Sequence, residues 1–154
     1  VLNSSLGIKK KNYTTSIDKQ FLETSLTELK DIFKENNQSY KIMHFIINKY
    51  SIDGVNYNSF ENEIDGENMC VEVKFISIPN ILMKEISHVL EKYQIKVDRF
   101  FDRNYINNFS ELDSLDLSIV AFNLKNGQNH NEIGLVPKNH KIKGFFEKFF
   151  QLFS

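Results

Sequence analysis

The side chains that could do chemistry are few and scattered. His44 sits inside the apolar run Ile42–Ile47, and with Glu72 and Asp98 it could supply the acid and base groups of a small enzymatic or ligand-binding pocket. No nucleophile–base or ligand spacing links the three, so the expectation for His44 is a hydrogen-bonded core residue. Cys70 is a nucleophile only as a thiolate in a polar, charged setting; the expectation is a small, half-buried strand residue. Glu61, Glu63, Asp65 and Glu67 could together suggest calcium, but the Asp-x-Asp-x-Asp-Gly order of an EF-hand loop and its closing Glu are absent, which leaves a solvated acidic loop. His88 precedes Glu91 and Lys92 on one helical stretch without any His-Glu-x-x-His or Cys-x-x-Cys pattern. Lys9, Lys10 and Lys11 could touch phosphate or lie on a solvated strand edge or loop. The expectation is therefore a protein that is not an enzyme, with no catalytic residue, no cofactor and no metal.

Length and composition narrow the frame. A chain of 154 residues with 41% hydrophobic content can build one domain with a real core. A net charge of −1 and a pI near 6.5 provide no basic field, so no nucleic-acid partner is expected. One cysteine makes no internal disulfide and fits a reducing compartment. No apolar run reaches the roughly 18 residues of a membrane span, and no basic-then-apolar leader follows Val1. The expected location is cytoplasmic, and the missing initial Met suggests a fragment.

The central elements are predicted over Lys41–Phe101. Strands are expected at Lys41–Ile52 and Met69–Ile78, a helix at Asn80–Lys92 and a third strand at Ile95–Phe101. Val71, Val73 and Phe75 alternate with Glu72 and Lys74, a strand with one wet face. Both faces of the first strand are apolar, with Ile42, His44 and Ile46 on one side and Met43, Phe45 and Ile47 on the other, so it should lie centrally. Leu82, Ile86, Val89, Leu90 and Tyr93 mark one apolar helical face, expected to lie on the sheet, with Asn80 as its cap. An earlier helix should start at Thr15, three residues before Asp18 as in a capping box, and carry Ile17, Phe21, Leu22, Leu26, Leu29, Ile32 and Phe33 on one face through Lys34. Asp53-Gly54 and Asp65-Gly66 read as turns. Residues 115–124 fit either a helix or a strand, and Gln128–His140 reads as a polar linker.

The C-terminal stretch carries the clearest local pattern. Phe145, Phe146, Phe149, Phe150 and Phe153 fall at i, i+1, i+4, i+5 and i+8, with Glu147, Lys148, Gln151 and Ser154 opposite. Lys138, His140, Lys141 and Lys143 precede them. This is the pattern of a helix lying in the plane of an anionic membrane surface, with Lys141, Lys143, Lys148 and the five phenylalanines as the membrane-binding residues. The opposing expectation is that the stripe packs back on the domain's own core.

Several of these words, in this order, resemble FtsA, the actin-like bacterial cell-division family. Ile42 to Gly54 resembles the family's strand leading to a Phe/Tyr-x-Ile-Asp-Gly turn, Glu72 to Ile76 its next strand, Leu82 to Tyr93 its second helix, Gln94 to Asp98 its (Gly)-Leu-x-Val-Asp step, and Gly144 to Phe153 its terminal amphipathic helix. The resemblance spans about two thirds of the chain and is carried by short words in matching order. It implies an α+β fold: a small sheet of about three strands covered on one face by two helices, in the strand-helix-strand-strand (SHS2-like) order, followed by a linker and a C-terminal amphipathic helix. The units would be an interaction domain at 1–109, an additional helix or strand at 110–127, a polar and basic linker at 128–143 and a membrane-targeting helix at 144–154. It further implies a non-catalytic module on the cytoplasmic face of the inner membrane that self-associates or recruits cell-division proteins. Its partner-binding residues would be Ile42, His44, Ile46, Lys49 and Tyr50. The phosphate loops of the family's ATP site are absent from this sequence. The alternative is a small cytosolic ligand-binding or enzymatic α+β domain whose C-terminal helix packs on its own core.

Overall fold

A computed structural model describes residues 1–58, 63–110 and 116–134. In chain order the elements are β1 (Leu2–Lys11), β2 (Ser16–Asp18), α1 (Lys19–Asn36), β3 (Tyr40–Ile52), β4 (Val55–Asn56), β5 (Glu63–Asp65), β6 (Asn68–Pro79), α2 (Asn80–Glu91), α3 (Arg103–Asn107), α4 (Leu117–Lys125) and β7 (Glu132–Ile133). The fold is α+β. The main sheet has the order β1-β6-β3-β4, with β7 also on β3, and β2 pairs with β5 in a small second sheet; every pairing is antiparallel. The strand expected to be central, β3, is central.

One face of the sheet packs on α1. Leu22, Leu26, Leu29 and Phe33 of the helix meet Val71, Val73 and Phe75 of β6, Phe45, Tyr50 and Ile52 of β3, and Leu2, Leu6 and Ile8 of β1. Phe75 is sandwiched, its ring centroid 4.4 Å from Phe33 and 4.6 Å from Phe45. The N-cap of α1 is Asp18 rather than Thr15: its carboxylate accepts from the Phe21 N–H at 2.9 Å. Thr15 lies before β2, so the helix begins after that strand and Ile17 enters the core from it.

Among the described residues the opposite face is covered at one end only, by α3, α4 and the segment before them. Met43, Ile76, Ile78, Tyr105, Ile106, Val120 and Leu124 form this second core, with Phe100 and Phe101 against it. A bulge in β3 between Ile42 and His44 breaks the simple alternation. Ile42 thus shares the α1 side with Phe45, while Met43 and His44 both turn to the second side.

Lys9, Lys10 and Lys11, read as a solvated strand edge or loop, lie on the ten-residue edge strand β1. Three expectations are corrected here. The stretch Ile95–Phe101 is not a strand: β6 fills one side of β3, β4 and β7 take up the other, and Phe100 and Phe101 serve the second core instead. The helix α2 has no buried residue: α1 takes one face of the sheet and the α3–α4 pair fills the second core, which α2 meets through Met83; Asn80 is its first residue, bonded through Nδ2 to the Gln38 carbonyl, and Pro79 holds the cap position. The linker at 128–143 is interrupted by β7, whose Glu132 and Ile133 are buried in the sheet's margin. The ambiguous 115–124 region is helical from Leu117.

Of the two expected turns, Asp53-Gly54 is present, whereas Asp65 ends β5 and Gly66 lies in the short connection to β6. Asp53 and Gly54 have φ of 48° and 85° and join β3 to β4. Asp53 also binds the Glu67 and Asn68 N–H groups and the Asn68 side chain, and these bonds hold its carboxyl below the ordinary carboxylate range. Gly66 fits only as glycine: a Cβ there would lie 2.2 Å from Ile52 Cγ2.

Candidate functional site

The densest group of titratable side chains is buried between β3, α3 and β7. The His44 bulge aims its ring at Tyr105, whose centroid lies 4.2 Å away. His44 Nδ1 is 2.6 Å from Glu132 Oε1, the Tyr105 hydroxyl donates to Glu132 Oε2, and Asn129 Nδ2 donates to the Tyr105 oxygen at 2.9 Å. The Asp102 N–H donates to His44 Nε2 at 3.0 Å. That bond requires Nε2 as acceptor, which assigns the ring hydrogen to Nδ1 and directs it at the carboxylate.

This arrangement is fully paired. Both Glu132 oxygens and both His44 nitrogens are occupied, and the Arg99 guanidinium adds its charge nearby while donating to the Gly134 carbonyl at 3.1 Å. Burial pushes Arg99 down from its ordinary value, and the negative charges of Glu132 and Asp98 oppose that shift. A general base needs a free lone pair within reach of substrate, and Nε2 of His44 is spent on backbone. The cluster is a fastener: it ties β3, the 99–102 segment, α3 and β7 together and fixes where the chain leaves at Gly134.

The fastener has an alkaline signature. Burial first, and then the bond to Glu132, push the Tyr105 phenol well above its ordinary value; burial does the same to Tyr50. Above pH about 10 the unfolded chain releases these protons while the folded chain keeps them, so stability falls as pH rises, by at most about 1.4 kcal/mol per pH unit for each phenol. Tyr105→Phe should remove one of these two contributions, which is read as a shallower slope of unfolding free energy between pH 10 and 12. An unchanged slope would show that Tyr105 ionises as readily when folded.

The residues singled out from sequence do not converge. His44 pairs with Ile76 in register and Glu72 with Lys49, five residues further along β3 or about 16 Å. Glu72 accepts from Asn48 Nδ2 at 2.8 Å, and exposed Asp98 pairs with Lys125. The lysine run is dispersed: Lys10 pairs with Glu28 of α1, Lys11 lies 3.7 Å from Glu67, and Lys9 borders a shallow depression with Ser51 and Cys70. Cys70 is half-buried on β6, and His88 is exposed on α2. Among the described residues no group of three or more His, Cys, Asp or Glu could hold a metal ion. Glu61 lies outside the described residues, as do Lys141, Lys143, Phe145, Phe146, Lys148, Phe149, Phe150 and Phe153.

Of the residues expected to bind a partner, His44 and Tyr50 are buried and cannot touch one from the folded state; Ile42 and Ile46 are half-buried in the two cores, and Lys49 is exposed. Among the described residues the long strand at an edge of the main sheet is β1, whereas β3 lies inside it. Sequence reasoning missed Glu132 and Tyr105. The one available signal was His44 itself, a polar ring in an apolar strand that demands a partner; nothing local says which of many distant acids supplies it.

A larger cleft lies beside the fastener. It holds about 590 Å³ and is lined by Met43, Ile78, Met83, Ser87 and Phe100, with Lys41, Arg99, Lys125 and Gly134 among the residues at its margin. Its size is that of a small-ligand pocket, yet no acid–base pair converges in it: Asp98 and Lys125 are committed to each other. Among the described residues no helix is long and apolar enough to cross a membrane. No family model matches the chain, and no curated protein matches it.

Proposed function

We propose that this chain is a non-catalytic interaction and membrane-tethering module of an FtsA-like cell-division protein, working at the cytoplasmic face of the inner membrane. The observation that supports the reading is the order of the long elements β1, α1, β3 and β6, with only the two- and three-residue strands β2, β4 and β5 between them, ahead of the phenylalanine stripe at 145–153. The closed fastener agrees with a non-catalytic role, since the buried imidazole has no lone pair to offer a substrate.

The two contacts divide between the two ends of the chain. The ten-residue edge strand β1 pairs with β6 on one side, and its outer row of backbone groups suits pairing with a strand of a second copy or of another division protein. The tail supplies the lipid contact. Partial burial of five phenylalanines at roughly 1 kcal/mol each, with about 1 kcal/mol for each lysine near an anionic surface, is offset by the cost of ordering so short a helix. One tail thus binds reversibly, and firm attachment comes from several tails on one assembly.

Co-sedimentation of the intact chain with vesicles of rising anionic lipid content tests the tether. Binding should grow with anionic lipid and be lost in Phe146→Glu/Phe149→Glu. Equal sedimentation of the two proteins would remove the tail from this role.

A further inference from the structure

The helix α2 leaves a row of large apolar side chains in water. Leu82 is 43% exposed, Val89 52%, Tyr93 74% and the following Ile95 51%. Met83 of the same helix packs against the second core and Ile86 and Leu90 are half-buried, so the apolar face of α2 is covered only in part by the described residues. Leu82, Ile86, Val89 and Tyr93 recur at i, i+4, i+7 and i+11, a continuous stripe on one side. The cleft of mixed polar and apolar lining, to which Met83 and Ser87 of α2 contribute, opens alongside it.

The same cleft has Gly134 at its margin, and Gly134 is the last described residue of the chain. The Arg99 bond to its carbonyl and the Glu132 fastener pin that point. Residues 135–143 separate it from Gly144. Nine residues can extend up to about 30 Å, whereas twelve residues of helix measure about 18 Å, so the tail can reach either end of α2. Its phenylalanines repeat at the helical period that the α2 stripe also has, which allows ridges of one to sit in grooves of the other. A short tether gives the tail a millimolar effective concentration at that surface, an advantage no free partner has.

We propose that Phe145, Phe146, Phe149, Phe150 and Phe153 dock on the uncovered apolar side of α2 and its adjoining cleft when no membrane is present, and that anionic lipid competes them away. The competition part rests on the tethering role proposed above; the docking part does not. Each tail is then shielded until it meets lipid, which keeps its phenylalanines from water and from premature association.

Hydrogen exchange of residues 80–95 in the full chain tests the docking without lipid. The amides of this segment should exchange several-fold faster in Phe146→Glu/Phe149→Glu than in the intact protein. Adding vesicles rich in anionic lipid to the intact protein should raise them to the same rate. Leu82→Glu/Val89→Glu changes only exposed positions and should tighten vesicle binding, about tenfold if the tail is docked nine tenths of the time. Equal exchange of residues 80–95 in the intact and tail-substituted chains without lipid would overturn the docking, even if both reads of vesicle binding support the tether. Protection of α2 that depends on the tail but persists in a chain that never binds vesicles would keep the docking and remove the tether.

Discussion

Phe75→Ala should lower the free energy of unfolding by about 3–5 kcal/mol, the range for removing a buried aromatic ring and leaving a cavity. The ring is wholly buried, and it is stacked from both sides by Phe33 of α1 and Phe45 of β3. No neighbour can collapse into the space without leaving its own stack. Since a domain of this size is stable by only about 5–15 kcal/mol, the variant should stand near the limit of folding. Urea unfolding followed by circular dichroism measures it. A loss below about 1 kcal/mol would mean that the helix and sheet are held together elsewhere.

Glu132→Ala should cost a comparable amount, about 3–5 kcal/mol, for an electrostatic reason. Its carboxylate is buried and takes hydrogen from His44 and Tyr105, so its removal leaves a buried imidazole N–H and a buried hydroxyl without their acceptor, and leaves Arg99 without its main opposing charge. His44→Ala attacks the same bond from the other end and strands the carboxylate. The two losses should therefore be strongly non-additive, with the double variant well short of their sum. Additive losses would show that the two side chains stabilise the fold independently. Because Glu132 also pins β7 next to Gly134, its loss should speed amide exchange at 129–134 before it affects β6, a local opening rather than a global one.

These two sites had very different legibility. The alternation Val71, Val73, Phe75 marks β6 with a buried face from sequence alone, and the helical spacing of Leu22, Leu26, Leu29 and Phe33 marks the face of α1 that meets it. Glu132 looked like part of a polar linker, because a residue pairing with His44 across 88 positions leaves no trace in local spacing. The opening strand was equally quiet. Its sequence is polar at every other residue and lysine-rich at one end, as an edge strand with a single half-buried face must be, and it shares that composition with a loop.

Two further outcomes depended on competition between segments. Leu82, Val89 and Tyr93 are periodic and apolar, so sequence correctly placed a helix there, but α1 packs on one face of the sheet and the α3–α4 pair fills the second core, which leaves α2 without a buried residue. In the same way Ile95–Phe101 has the residues of a strand, but β6 on one side and β4 and β7 on the other already pair with β3. The bulge between Ile42 and His44 shifts which side chains share a face, and strict alternation cannot reveal it.

The sequence by itself determined the α+β class, the central place of β3, the helices α1 and α2, the turn at Asp53-Gly54, and the phenylalanine stripe. All of these rest on side chains a few residues apart, where periodicity and turn chemistry act directly. Only the tertiary structure decided which apolar faces are covered, that His44 closes on Glu132 and Tyr105 instead of on a substrate, and that the chain passes Gly134 beside the open flank of α2. Those outcomes are settled by which of several competing segments first fills a limited surface, a comparison of packing energies between distant parts of the chain that no local pattern records.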